Sequence, residues 1–182
     1  LPNKISKDNV HFAFKYLKRP FTLDVELEKI DPEYEVFTNV SSYLDETLYK
    51  LYAHFQYNIK KSRIFGTQLE IPVGFMLLNI KAYDLAGNEK NLDQIKEYQE
   101  KDEDGKRNLL ITFKQGMNSA NLLLRLQLQQ KFAEEQKLRE ISLPVFKVQG
   151  AKRETGNVGI GVKSSFNITT VEKSQKNIFP LD

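Results

Sequence analysis

From Leu122 to Leu128 every second residue is leucine: Leu122, Leu124, Leu126 and Leu128 alternate with Leu123, Arg125 and Gln127, and Gln129 and Lys131 continue the second series. A period of two places one set of side chains on each face of an extended strand, so this segment has one buried and one largely wet face. The same alternation runs through Phe21, Leu23, Val25, Leu27 against Thr22, Asp24, Glu26, Glu28, and more briefly through Phe12, Phe14, Tyr16. Further strand-like runs, most of them bounded by Gly, Pro, Asn or Asp, are Tyr34 to Val40, Phe65 to Ile71, Phe75 to Tyr83, Leu109 to Phe113, Leu143 to Val148, Val158 to Val162 and Phe166 to Val171. A sheet with one wet face buries the other against a second sheet. The expected fold is therefore all-β, an antiparallel sandwich of about ten strands.

The segment Tyr43 to Ile59 admits two readings. Leu44, Leu48, Leu51, Tyr52 and Phe55 trace a helical stripe, whereas Tyr49, Leu51, Ala53, Phe55, Tyr57 and Ile59 trace a strand. Six consecutive matches at period two, three of them aromatic, favour the strand. Its wet face then carries Lys50, Tyr52, His54, Gln56 and Asn58, the candidate contact face of the chain. The other aromatic residues of the first third fall mainly on inward positions, where packing alone accounts for them.

One short helix is expected over Asn91 to Glu100, with Asn91 as N-cap and Leu92 and Ile95 on one side. It lies within a charged stretch, 84–107, with eight acidic and five basic residues, read as a surface insertion between strands. A second charged stretch, 133–141, is a candidate sub-boundary. The forty residues after it are too few to fold alone, so the expectation is one module over 1–182.

Cysteine is absent, which excludes disulfides, thiolate metal sites and cysteine nucleophiles. With 27 basic and 24 acidic residues the net charge is +3, too balanced to argue for nucleic acid, and the longest mainly apolar run, Val73 to Ile80, is too short to cross a bilayer as a helix. His11 and His54 are the only imidazoles, and neither accompanies a Gly-x-Ser-x-Gly elbow or a metal-ligand spacing. Asp102 and Asp104 beside Gly105 read as a solvated turn rather than a calcium loop, because Arg107 and Leu109 occupy positions where ligands belong. In Gly156-Asn157-Val158-Gly159-Ile160-Gly161 the glycine order is wrong for a phosphate loop. That run reads as a strand closely approached by another backbone, with Gly156 in the preceding turn at positive φ. Two glycosylation triplets, at Asn39 and Asn167, compare with roughly one expected by chance. No catalytic residue, cofactor or metal is expected.

Two patterns resemble known proteins. Ile80-Lys81-Ala82-Tyr83-Asp84-Leu85-Ala86-Gly87-Asn88 is similar to a strand-and-turn segment of immunoglobulin-like modules in bacterial surface proteins. Phe12 to Ile30, Tyr57 to Gly74 and Gly150 to Val162 together resemble, in order and spacing, the β-rich modules of very large bacterial envelope proteins. The resemblance implies an extracytoplasmic, non-enzymatic module that scaffolds, spaces or adheres. Its partners would be neighbouring modules of the same chain or other envelope proteins, and a chain opening at Leu1-Pro2 without a methionine reads as a piece of such an array. The alternatives are a carbohydrate-binding accessory module using exposed aromatics, with glycan as its partner, and an enzyme whose acids, Asp24, Glu26 or Glu70, converge only in the fold.

Overall fold

The computed structural model describes residues 15, 17–26, 28, 30–85, 92–118, 122–132, 141–163 and 165–169. Nine strands form, without a helix among the described residues: β1 (Glu33–Leu44), β2 (Leu48–Lys61), β3 (Ile64–Ile71), β4 (Met76–Asp84), β5 (Ile95–Glu103), β6 (Lys106–Met117), β7 (Leu122–Lys131), β8 (Lys147–Val148) and β9 (Arg153–Val162). They build a five-stranded sheet in the order β4-β7-β2-β1-β9 and a four-stranded sheet in the order β5-β6-β3-β8. All pairs are antiparallel except β1 with β9, which run parallel.

The period-two residues meet between the sheets. Leu51, Ala53, Phe55 and Tyr57 of β2 and Leu122, Leu124, Leu126 and Leu128 of β7 are almost completely buried, and face Leu69, Ile71, Leu109, Ile111 and Phe113 of the four-stranded sheet in one core cluster. Phe55 meets Phe146, just before β8, edge-on with ring centroids 5.5 Å apart. The hydroxyls of Tyr57 and Thr67 join β2 to β3 across the core at 2.9 Å. Burial pushes the Tyr57 phenol well above the ordinary tyrosine range, so it stays protonated. The Tyr34 hydroxyl donates to the Gln149 carbonyl at 2.6 Å and ties β1 to the turn before β9.

Side-chain oxygens hold the turns. Asp45 Oδ1 accepts from the Thr47 and Leu48 amides at 2.8 and 2.7 Å, closing the β1–β2 hairpin and holding the carboxyl below its usual range. Asp104 and Gly105, with φ of 53° and 73°, make the two-residue β5–β6 turn, as an Asp-Gly pair does where both central residues need positive φ.

Four expectations are corrected. The helix expected over Asn91 to Glu100 does not form over the described residues 92–100, Asn91 lying outside them: from Ile95 the segment is β5, paired with β6. Asp93 Oδ1 accepts from the Ala82 and Ile95 amides at 2.9 and 3.1 Å, and the Gln94 amide donates to the Ala82 carbonyl at 2.7 Å. Those bonds hold the chain extended as it crosses from one sheet to the other. Residues 21–26 are irregular, with Phe21, Leu23 and Val25 each more than half exposed, because alternation becomes a strand only where a neighbour supplies backbone partners. Of the run 143–148 only Lys147 and Val148 pair, as the short β8, and residues 166–169, like 21–26, are irregular, so the described residues hold nine strands against the ten or so expected. Gly156 has no positive φ: it lies within β9, and the left-handed glycine of that turn is Gly150. A Cβ on Gly156 would sit 2.0 Å from the Thr38 carbonyl oxygen, so the close backbone approach expected of this run is made there. The strand of Phe12, Phe14 and Tyr16 falls largely on residues 12–14 and 16, outside the described residues, as does most of the candidate boundary 133–141.

Candidate interaction face

The wet face of β2 lies at the centre of the five-stranded sheet, and its neighbours extend it into rows. Lys50 stands between Tyr43 of β1 and Gln129 of β7, Tyr52 between Ser41 and Gln127, His54 between Asn39 and Arg125, and Gln56 between Phe37 and Leu123. Residues in register across a sheet share a face. β9 therefore adds Gly161, Gly159, Asn157 and Thr155 to the same four rows on one side. On the other, β4 adds Met76, Asn79, Lys81 and Tyr83. Asn58 lies on this face in the bordering row, opposite Glu35, which pairs with Lys60 at 3.7 Å.

Across these four rows no position holds a carboxylate. Besides the two glycines, the residues are aromatic (Phe37, Tyr43, Tyr52, Tyr83), amide or hydroxyl (Asn39, Ser41, Gln56, Asn79, Gln127, Gln129, Thr155, Asn157), cationic (Lys50, Lys81, Arg125), aliphatic (Met76, Leu123) and imidazole (His54). Phe37, Tyr43 and Tyr52 are each 40% exposed. The Arg125 guanidinium lies over the Tyr83 ring, 5.3 Å from its centroid, a cation–π attraction between neighbouring rows of the face. His54 is held below its ordinary pKa, first by partial burial and second by the Arg125 charge, so it is neutral at pH 7.

Where β1, β2 and β9 meet, the face dips. Tyr43, Tyr52 and Ser41 border a shallow depression of about 490 Å³, with Gly159 and Gly161 beneath it. The missing side chains make the hollow: a Cβ on Gly161 would already stand 3.4 Å from the Tyr43 ring. The other sheet's outer surface differs in charge, since Glu70 and Glu97 lie on it among Lys101 and Lys147.

The structure thus brings Lys50, Tyr52, His54 and Gln56 together and surrounds them with residues sequence reasoning did not single out. Alternation placed Arg125, Gln127 and Gln129 on a wet face, but only the strand order makes it the same face as that of β2. His11 lies outside the described residues. Of the acids considered for catalysis, Asp24 and Glu26 are exposed in the irregular segment, and Glu70 accepts from Lys106 Nζ at 3.0 Å. Among the described residues no three metal-ligating side chains cluster.

No protein-family profile and no curated protein sequence matches this chain. Among solved structures, an M1 zinc metallopeptidase of Deinococcus radiodurans is similar over 62% of this chain at 10% identity and a TM-score of 0.38, and the match spans only 23% of that protein. A non-cellulosomal cohesin of the archaeon Archaeoglobus fulgidus is similar over 73% of this chain and 93% of its own, at 13% identity and a TM-score of 0.37. A cohesin module from a family 33 glycoside hydrolase of Clostridium perfringens is similar over 72% and 98% respectively, at 11% identity and a TM-score of 0.38. At such identities and TM-scores these likenesses carry no argument about this chain's activity or partners.

Proposed function

We propose that the chain is a non-catalytic interaction module of a larger extracytoplasmic protein, which engages a partner protein through the outer face of its five-stranded sheet. The observation that carries this reading is the make-up of that face: tyrosines and an arginine among amides and hydroxyls, with no carboxylate in four rows. Protein interfaces are enriched in Tyr, Phe, Met and Arg and depleted in Asp, Glu, Lys and Ser, so Lys50, Lys81 and Ser41 belong to the polar rim rather than the core of such a contact. Tyrosine with Ser, Asn and Gly is moreover the composition of adaptable flat binding surfaces. The extracytoplasmic placement rests on the resemblance of Ile80–Asn88 and the longer β-rich stretches to surface-protein modules.

The test is a photo-cross-linking residue in place of Tyr52, introduced into the full protein in its native organism, with the same residue in place of Thr112 on the other sheet as control. The expected result is a protein adduct from position 52 and none from position 112. A glycan adduct would transfer the face to the carbohydrate-binding alternative, and adducts of equal yield from both positions would remove the assignment. Protease accessibility on intact cells checks the location.

A further inference from the structure

The charge of this face identifies the chemistry of what it binds. Several lysines elsewhere on the sheets are already paired: Lys152 with Glu33 at 2.8 Å, Lys163 with Glu46 at 2.9 Å, Lys106 with Glu70 at 3.0 Å, and Lys61 with Glu33 at 3.2 Å. Arg125 and Lys81 face each other in one row and have no carboxylate at ion-pair distance among the described residues. Lys50, two rows away, likewise has no carboxylate at ion-pair distance among the described residues. Three cations with no acid in the same four rows make a surface of one sign, and such a surface attracts its complement and repels other basic proteins.

Shape and size point to a polypeptide rather than a sugar chain. Five strands about 4.8 Å apart and four rows about 6.7 Å apart cover about 650 Å², close to the about 800 Å² that each partner contributes to a standard protein interface. The hollow beside Tyr43 and Tyr52 is shallow and lies at one corner, so it accepts a protruding side chain rather than enclosing a saccharide.

We infer that the partner is an acidic protein surface whose carboxylates meet Arg125, Lys81 and Lys50 while an apolar side chain seats between Tyr43 and Tyr52. The inference rests on the protein-binding reading above and narrows it.

Poly-L-glutamate serves as the minimal acidic polypeptide, and polygalacturonate as the same carboxylate on a sugar backbone. Each is titrated into the isotopically labelled full chain at low salt and again at about 0.15 M, where exposed charges are screened beyond about 8 Å. The expected result is amide shifts concentrated in 50–56 and 123–129, weakening with salt, and tighter binding of polyglutamate than of polygalacturonate. R125E and K81E should each weaken polyglutamate binding at least tenfold, with unchanged melting temperature. K147E, on the other sheet, should leave it within twofold. Absence of binding, shifts elsewhere, indifference to R125E, or tighter binding of polygalacturonate would overturn the inference. A protein adduct from position 52 that polyglutamate fails to block also overturns it, while leaving the protein-binding reading intact. No protein adduct at all removes that reading and this inference with it.

Discussion

Tyr49 and Tyr57 lie on the same strand, face the same core and are both almost completely buried, yet their hydroxyls differ in one respect. Tyr57 shares a 2.9 Å hydrogen bond with Thr67, whereas the Tyr49 hydroxyl, with the Ser42 hydroxyl nearby, makes no hydrogen bond of normal geometry among the described residues. Replacing each by phenylalanine therefore removes the same atom with opposite expectations. Tyr57→Phe leaves the buried Thr67 hydroxyl without its partner, which costs the lost bond plus desolvation, about 1–3 kcal/mol. Tyr34 packs against Tyr57 with ring centroids 5.7 Å apart, and its hydroxyl is also coupled to Thr67, so partial re-pairing favours the lower half of that range. Tyr49→Phe removes a buried polar atom that has no hydrogen bond of normal geometry, while Ser42 keeps its bond to the Gly159 carbonyl, and should be neutral or stabilising by up to about 1 kcal/mol. For a chain of this size 1 kcal/mol moves the melting temperature by about 2–4 °C, so the two variants should separate clearly. Urea unfolding of Tyr57→Phe, Thr67→Val and the double variant completes the cycle. The double variant removes both polar atoms and should lose less than the sum of the singles, with m-values unchanged. Additive singles, or a Tyr49→Phe as damaging as Tyr57→Phe, would refute the assignment of this bond as the polar link between the sheets.

Three further outcomes are expected. Gly156→Ala should cost about 1–3 kcal/mol, because its Cβ meets the Thr38 carbonyl oxygen at 2.0 Å, whereas Gly159→Ala, with 4.0 Å to the nearest atom, should stay within about 0.5 kcal/mol by thermal melting. The folded-state pKa of His54 is depressed below its unfolded value, so the unfolded chain takes up this proton first as pH falls. The contribution of His54 to stability is complete above about pH 6.5 and declines as pH falls through the folded pKa; an NMR titration should show the lowered midpoint, and Arg125→Gln should raise it. β9 is an edge strand whose residues 155–162 bear no charge, unlike β5 at the edge of the other sheet, where six of nine residues are charged. The wild-type chain should self-associate with concentration in sedimentation velocity and Ile160→Lys should suppress this; a strict wild-type monomer at several hundred micromolar would show that edge to be covered.

What could be read from residues alone was whatever repeats along a single strand. The leucines of β7 and the aromatic alternation of β2 announced both strands and their buried faces, because burying one face imposes the two-residue period in the sequence itself. Lys50, Tyr52, His54 and Gln56 were placed on a common wet face by the same rule. The turn at Asp104-Gly105 was legible as a turn, but not as a hairpin, because the strand that leads into it reads as a helix in the sequence. Tertiary structure decided which strands are neighbours. That Arg125, Lys81 and Tyr43 share a surface with Tyr52 follows from the order β4-β7-β2-β1-β9, and strand order depends on contacts between residues far apart in the chain, which leave no local period. It also decided between equal local signals. Phe21, Leu23 and Val25 alternate as well as many true strands do, yet stay irregular and more than half exposed, whereas the helix-like stretch after Asn91 is drawn into extension by Asp93 and by pairing with β6. A strand must find its hydrogen bonds outside itself, so its local sequence can only propose it, and the neighbouring strand completes it.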